Sequence, residues 1–259
     1  MNTGKTNPLP GCGQCRDEST LDFDFTMAFQ PIVNSQTKQI FAHEALVRGL
    51  NNEPAGHIFG HINDNNRYRF DQLCRTKAIQ LAAQLNADSF LSINFMPNAV
   101  YQPELCLRTT LDAAEKYSFP TERIIFEITE SEKVDNLPHL RNIVEYYQAR
   151  GFKTAIDDFG AGYAGLNLLS EIPADIIKLD MALIRNIDKD RVRQAIVKGV
   201  VQVCNDLSTT VIAEGIETLE ELKVLQSFGI ELFQGFYFAK PAFQALAGVP
   251  VQCFPSSGQ

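Results

Sequence analysis

The sequence predicts an α/β fold, a modified TIM-type (β/α)8 barrel whose first strand is antiparallel to its neighbour. Eight strand-like apolar stretches recur along the chain, and helical stretches separate the last seven of them. Repeated βα units in this number are typical of a closed barrel with helices outside, and a doubly wound open sheet is the alternative. Only residues 34–39 separate the first two stretches. Because a parallel crossover needs about a dozen residues, these two strands are expected to be antiparallel.

The strand-like stretches are short and apolar, and most of them end at a polar residue. They are Phe25–Val33, Ile40–Val47, Phe90–Phe95, Arg123–Ile128, Lys153–Asp157, Asp175–Leu179, Thr210–Ala213 and Leu232–Phe238. The helical stretches carry apolar residues three or four positions apart, which is the period of a helix with one buried face. They are Arg67–Leu85, Glu104–Tyr117, His139–Arg150, Ala164–Leu169, Arg191–Asp206, Leu219–Phe228 and a brief one near Phe243–Leu246.

The ends of the chain differ in composition from the rest. Residues 1–20 are polar and without periodicity, and predict a flexible tail. Residues 21–250 form one predicted domain, and residues 251–259 a C-terminal tail. Cys12 and Cys15 have half the spacing of a zinc site, but no second Cys/His pair follows nearby, so two free thiols are expected there.

Charge and hydropathy limit the partners that we expect. The net charge is −8 and the sequence lacks a run rich in Lys and Arg, which argues against nucleic-acid binding. A negative protein can still bind a phosphorylated ligand when metal ions supply the positive charge. The N-terminus lacks the apolar run of a signal peptide, and no stretch approaches the length of a membrane span. We therefore predict a cytoplasmic protein with reduced cysteines and no membrane association.

Two adjacent carboxylates, Asp157 and Asp158, follow the apolar strand that begins at Lys153 and precede the glycines at 160 and 162. Neighbouring carboxylates repel, and each is costly to remove from water. A divalent cation relieves both problems. A charged turn that caps the next helix is the alternative for this pair considered alone.

Polar residues lie at or near the end of nearly every predicted strand, and this pattern favours the cation. They are Glu44, Asn94, Glu127, Asp157, Asp158, Lys178, Asp180, Glu214 and Gln234. The carboxyl ends of barrel strands converge on one face, where active sites are built. So many acceptor oxygens would repel one another without cations, and oxygen ligands without His or Cys favour Mg²⁺ or Mn²⁺ over zinc.

The same residues carry a family resemblance. Glu44-Ala45-Leu46 with Arg48 resembles the signature of the EAL-domain cyclic di-GMP phosphodiesterases. The resemblance covers about residues 25–245 through Gln30-Pro-Ile, Ile93-Asn94-Phe, Glu127-Ile-Thr-Glu130, Asp157-Asp158-Phe-Gly-Ala-Gly-Tyr163, Lys178-Leu-Asp180, Ala213-Glu214-Gly-Ile-Glu217 and Gln234-Gly235-Phe. Residues 66–72 and 163–169 further resemble the branch fused to blue-light-sensing flavin domains, although this sequence contains no such sensor and is similar to a stand-alone EAL domain.

The resemblance implies a role for each matching position. Glu44, Asn94, Glu127 and Asp157 match the ligands of one metal, Asp157 is shared, and Asp158 matches a ligand of a second. Glu214 matches a second-metal ligand or a general base, Lys178 the lysine that orients the attacking water, and Asp180 an acid that holds a water. Gln30, Arg48, Glu217 and Gln234 resemble substrate-side positions, and Glu130 matches the glutamate that anchors the loop after Asp158.

The implied reaction is hydrolysis of cyclic di-GMP to linear pGpG with two Mg²⁺ or Mn²⁺ ions, with Ca²⁺ inhibitory and a homodimer expected. Two departures from the family pattern are Ala164-Gly165, where many active members have two serines, and Phe236, where tyrosine is more usual. A nucleotide-binding effector without catalysis and an anti-activator that acts through its surface helices are the alternatives. Such degenerate members typically lose metal ligands, and none is missing from this sequence.

Overall fold

A closed eight-stranded barrel with helices between its strands confirms the predicted fold class. The structure is a computed structural model and describes residues 21–100, 102–129, 136–162 and 165–254. Its strands are β1 (Thr26–Asn34), β2 (Gln39–Arg48), β3 (Phe90–Asn94), β4 (Ile124–Thr129), β5 (Lys153–Phe159), β6 (Ile176–Leu179), β7 (Thr210–Ala213), β8 (Leu232–Gln234) and β9 (Ala242–Phe243). Strands β2 to β8 follow one another in parallel, and β1 closes the ring.

Strand β1 is antiparallel to both of its barrel neighbours, as the short connection to β2 predicts. Its register places Gln30 opposite Glu44 of β2 and Ile32 opposite Gln234 of β8. This arrangement brings three polar side chains from the two ends of the chain to the same part of the barrel.

The helices cover the outside of the barrel. They are α1 (Ala55–Phe59), α2 (Arg67–Gln84), α3 (Pro103–Cys106), α4 (Arg108–Lys116), α5 (Leu137–Gln148), α6 (Gly165–Glu171), α7 (Met181–Ile184), α8 (Arg191–Asp206) and α9 (Leu219–Ser227). The apolar faces of the longer helices pack on the outward side chains of the strands, as in the contact of Tyr147 with Phe126 and Phe152. None of the helices in the described ranges is long and apolar enough to cross a membrane.

The barrel interior is divided into an apolar and a polar layer. The apolar layer consists of Ile32, Ala42, Ile125, Ala155, Ile176, Ile212 and Leu232. Successive strand residues alternate between the two faces of a sheet, so the next inward residue lies two positions away along the strand. On the side of the barrel where the parallel strands end, these next residues are Gln30, Glu44, Glu127, Asp157, Lys178, Glu214 and Gln234. The fold therefore assembles the polar residues directly above an apolar floor.

The predicted helix near Phe243–Leu246 is wrong, because this segment is a short strand followed by a turn. Ala242–Phe243 forms β9, which pairs with β1 at Ala28, and Leu246 forms a further bridge to Phe29. Strand β8 has only three residues and pairs with residues 32–34 of β1. The earlier part of β1 thus has an open edge, and hydrogen bonding along that edge favours an extended segment over a helix. The predicted end of the last barrel strand is also wrong. The strand was predicted as Leu232–Phe238, but β8 ends at Gln234.

The predicted tail of residues 1–20 lies outside the described residues. At the other end, Val251–Cys253 form a single 3-10 turn, and the Phe254 side chain is buried.

Candidate active site

The ammonium group of Lys178 lies at the centre of four carboxylates. Its Nζ atom is 2.6 Å from Glu214, 2.9 Å from Glu127, 3.0 Å from Asp157 and 3.5 Å from Glu44. Only 1% of the lysine side chain is exposed. The four carboxylates come from strands β2, β4 and β5 and from the residue that follows β7, so the closed barrel is what brings them together.

The charged groups in this cluster strongly shift one another's pKa values. Burial alone would lower the pKa of Lys178, but the charges of Asp157, Glu127, Glu214 and Glu44 outweigh it and hold the pKa well above its ordinary value. Lysine is therefore a charged donor and not a proton acceptor here. Burial, together with the neighbouring carboxylates, raises the pKa of Glu127 and of Glu214 well above the ordinary range.

Glu44 is held by hydrogen bonds on both of its oxygens. Asn94 Nδ2 donates to Oε1 at 2.9 Å, and Gln234 Nε2 donates to Oε2 at 2.7 Å. Burial raises the pKa of Glu44, but the Lys178 charge and these two hydrogen bonds outweigh it and lower the pKa overall. Gln234 also donates to Gln30 Oε1 at 3.2 Å, and Gln30 Nε2 donates to the carbonyl oxygen of Ala239. One network thus connects Gln30, Glu44, Asn94 and Gln234.

Ser92 is a member of the site that the sequence reasoning missed. Its hydroxyl donates to Glu127 Oε1 at 2.5 Å, whereas the buried Oε2 atom of Glu127 has no hydrogen-bond partner among the residues that the structure describes. The signal was available, because Ser92 precedes Asn94 by two residues on β3 and therefore faces the same side of the strand.

Asp157 and Asp158 lie at the end of β5, where the pairing with β6 becomes irregular. Asp158 has a φ of 54°, in the left-handed region. With this backbone conformation the two consecutive carboxylates both lie near Glu214, and Asp157, Asp158 and Glu214 have oxygens within 4.8 Å of one another. Burial raises the pKa of Asp158 to about 6, with a further contribution from the charges of Asp157 and Asp180.

The donor set fits divalent cations. Glu44, Glu127 and Asp157 form one group of carboxylates with oxygens within 4.8 Å, and Asp157 also belongs to the group with Asp158 and Glu214. The amide of Asn94 adjoins the first group through Glu44. One ammonium cannot neutralise this many carboxylates, and within the described part of the chain Glu127 Oε2 is a buried acceptor without a donor. Oxygen-only donors of this kind suit hard cations.

The remaining predicted residues lie around this centre. Asp180 directly precedes α7 and accepts a hydrogen bond from Ala182 N at 2.7 Å, so it acts as the N-cap of this helix beside Asp158. Glu217 forms an ion pair with Arg185, whose Nη2 donates to Oε1 at 2.8 Å. Arg48 donates to the Val47 carbonyl oxygen at 2.7 Å. Glu130, the predicted loop anchor, lies outside the described residues.

Arg185, the partner of Glu217, is a second residue that the sequence reasoning missed, because it does not follow a strand end and matches no motif.

A cavity of about 400 Å³ adjoins the carboxylates, with Asn94, Asp157 and Asp158 on one wall. Its other walls are mainly apolar and include Leu46, Phe59, Phe70, Phe95 and Met96. The site therefore combines a charged centre with an apolar recess.

Comparison with known proteins identifies relatives of the chain. A family model described as the EAL domain matches residues 17–241. The "Blue light- and temperature-regulated antirepressor BluF" of Escherichia coli is 35% identical over 229 residues, which cover 88% of this chain and 56% of BluF. The chain thus spans about half the length of this curated relative, and 28% of the length of the Bacillus subtilis signaling protein YkoW.

Solved structures give the same family. A standalone versatile EAL protein from Vibrio cholerae O395, in its c-di-GMP bound form, is 56% identical with a TM-score of 0.89, over 92% of this chain and 100% of that one. Klebsiella pneumoniae BlrP1, in a manganese/cy-diGMP complex, is 38% identical with a TM-score of 0.80, over 85% of this chain and 56% of that one. With the family match spanning most of its length, the chain belongs to the EAL-domain family.

Proposed function

We propose that the protein is a metal-dependent phosphodiesterase that hydrolyses cyclic di-GMP to linear pGpG and so lowers the level of this second messenger. The observation that carries the proposal is the pair of carboxylate groups that share Asp157, built around Lys178 in an EAL-domain barrel. Relatives in the family carry the name cyclic di-GMP phosphodiesterase, among them PdeR and PdeF of Escherichia coli.

Two cations would be held by the chain's own oxygens. Glu44, Asn94, Glu127 and Asp157 would hold one, and Asp157, Asp158 and Glu214 the other. Bound cations in such a pair supply an acidified water and neutralise charge that develops on the phosphate. Mg²⁺ and Mn²⁺ are the proposed activators. Ca²⁺ is expected to bind but to inhibit, because its larger and looser coordination misplaces the reacting groups.

Lys178 is proposed to orient the attacking water. Its ammonium stays charged among the carboxylates, so it can donate hydrogen bonds to the water but cannot remove its proton. Glu214 is the proposed second-site ligand, with proton acceptance as the other role that its position allows. Asp180 lies beside Asp158, where its carboxylate can accept a hydrogen bond from a water.

The substrate is proposed to lie across the mouth of the barrel. The guanidinium of Arg48 suits phosphate oxygens, and Gln30 and Gln234 offer amide groups that are already ordered by mutual hydrogen bonding. Glu217 would act next to Gln234, because Ile216 N donates to the backbone carbonyl of Gln234, and the pairing with Arg185 fixes the Glu217 carboxylate. The apolar cavity beside Asn94 has the size and lining that a nucleobase requires.

A homodimer through α8 is part of the proposal. Four apolar side chains of this helix and its C-terminal cap are exposed, namely Val192 (68%), Ile196 (47%), Val203 (38%) and Leu207 (55%). Their spacing of four, seven and four residues places them on one side of the helix. A stripe of this kind exposed to water favours burial against a second copy.

A second candidate function is protein binding without catalysis, because BluF is named an antirepressor. The exposed stripe on α8 would serve such a role as well as a dimer. The carboxylate groups favour the enzyme, since protein binding requires neither Lys178 at their centre nor the Glu127 oxygen that lacks a partner among the described residues.

We place the protein in the cytoplasm, because the four cysteines of the described residues (Cys74, Cys106, Cys204 and Cys253) are free thiols, as a reducing compartment favours.

Product analysis separates these functions. Purified protein is incubated with cyclic di-GMP and Mn²⁺, and the products are separated by chromatography and identified by mass. The enzyme yields pGpG, whereas a binding-only effector retains cyclic di-GMP unchanged. Asp157→Asn is the control, because it removes the carboxylate that both proposed metal groups share, and it should abolish the product. Unchanged cyclic di-GMP after prolonged incubation with bound Mn²⁺ would contradict the proposal.

A further inference from the structure

Glu221 is a buried carboxylate outside the residues to which a role has been assigned. It lies in the first turn of α9 with 2% of its surface exposed. Its Oε1 atom accepts a hydrogen bond from Asn186 N at 2.9 Å, and its Oε2 atom accepts from Glu217 N at 3.0 Å and from Thr218 N at 3.1 Å. One side chain thus binds three backbone donors.

Only part of this arrangement is an ordinary helix cap. Thr218 and Glu221 form a capping box, in which each side chain accepts from the backbone N–H of the other residue. The bond from Asn186 is different, because Asn186 belongs to the turn after α7. The φ of Asn186 is 57°, in the left-handed region, and its N–H is directed to the carboxylate. Glu221 therefore joins the connection after β6 to the connection after β7.

The connection after β7 begins with the candidate ligand Glu214, and the connection after β6 contains α7, which packs against it. A Cβ atom at Gly215 would lie 2.5 Å from Met181 Cβ, and one at Gly160 would lie 2.4 Å from Leu183 Cδ1. Helix α7 is therefore in close contact with the loop after Asp158 on one side and the loop after Glu214 on the other. A shift of α7 would move both loops, and Glu221 fixes the end of α7 to the second of them.

We infer that Glu221 is a positioning residue for the group formed by Asp157, Asp158 and Glu214. It contacts none of these carboxylates and acts by fixing the backbone of the loops around them. The inference rests on the proposed function in taking this group as a cation site. Glutamine at this position has only one acceptor oxygen, and its NH₂ group would replace the other carboxylate oxygen. That NH₂ group would face a backbone N–H and could not accept its hydrogen bond, so one of the two loops would lose its bond to residue 221.

The test compares Glu221→Gln with Asp190→Asn. Asp190 caps α8 by accepting from Val192 N and Arg193 N, so its backbone bonds stay within its own helix. Amide hydrogen exchange is measured in the metal-free proteins, and Mn²⁺ binding is followed by calorimetry. We expect Glu221→Gln to speed exchange at Asn186 or Glu217 and to weaken Mn²⁺ binding at the group formed by Asp157, Asp158 and Glu214 about tenfold, as loss of a supporting hydrogen bond does at other metal sites. Asp190→Asn should change neither.

Equal Mn²⁺ affinities in wild type and Glu221→Gln would overturn the inference, and so would an equal loss in both variants. Should Glu221→Gln fail to fold, the wild-type protein provides the second measurement. Saturating Mn²⁺ should slow exchange at Asn186 and Glu217, and unchanged rates would contradict the coupling. Neither measurement requires turnover. The role of Glu221 can therefore be tested even if the protein does not hydrolyse cyclic di-GMP.

Discussion

Lys178 Nζ lies 2.9 Å from Glu127 Oε1, and neither side chain exposes more than 1% of its surface. Removing one partner of such a buried pair leaves an uncompensated charge, which is more costly than the absence of both. The pair is also crowded by further carboxylates, so it is more than a structural ion pair. Glu127 Oε2 receives no hydrogen bond from any described residue, and divalent cations would provide the missing positive charge.

Lys178→Ala should lower kcat by about two to three orders of magnitude, the loss typical of removing one oriented donor. Substrate affinity should change little, because Arg48, Gln30 and the metals are proposed to set it. Cyclic di-GMP binding is titrated in the variant while hydrolysis is followed separately. Near-normal turnover would remove the lysine from the mechanism, and joint loss of binding and turnover would recast it as a phosphate-binding residue.

Glu44→Ala should abolish hydrolysis while the protein remains folded. The substitution relieves repulsion among the carboxylates of the metal-free protein, which partly offsets the lost bonds from Asn94 and Gln234. Thermal unfolding is measured with and without Mn²⁺, and Mn²⁺ should raise the melting temperature of the wild type more than that of the variant. Glu231→Ala is the control, because Glu231 is an exposed carboxylate that precedes β8, at the end of this strand away from Gln234. An unfolded Glu44→Ala protein would show that Glu44 is structural.

The sequence predicted the barrel and most of the residues that the structure brings together in the candidate site, because both depend on local patterns. Strand-end residues such as Glu44 and Asp157 follow apolar runs whose carboxyl ends must converge once the barrel closes. Strand β9 was mistaken for a helix, because its conformation depends on the open edge of β1 and not on its own residues. Arg185 and Glu221 were missed for a similar reason, since their partners lie in loops distant in sequence.

Mn²⁺ affinity should fall as the pH falls through about 6. Burial raises the pKa of Asp158 to about 6, so the metal-free protein keeps this proton below that pH, and a cation must displace it. The same shift means that the metal-free fold loses stability as the pH rises from about 4 to 6. Mn²⁺ binding is measured by calorimetry between pH 5 and 8 in wild type and in Asp158→Asn. The variant should show a shallower pH dependence, and identical slopes would contradict the role of Asp158.

Ile196→Glu should convert the proposed dimer to a monomer. The substitution places a charge in the middle of the exposed stripe on α8, where it would have to lose water on association. Sedimentation velocity gives the mass of each variant. Val251→Glu is the matched control, because Val251 is 81% exposed and lies outside the stripe. A wild-type monomer, or an Ile196→Glu protein that remains a dimer, would rule out this interface.

The central claim is that cations bound by the carboxylate groups support the hydrolysis of cyclic di-GMP. The most direct measurement is the rate of pGpG formation in excess EDTA and again after Mn²⁺ is added beyond the chelator, with Ca²⁺ as a parallel addition. We predict no product in EDTA, recovery of the full rate with Mn²⁺, and little turnover with Ca²⁺. Full activity in EDTA would contradict the account.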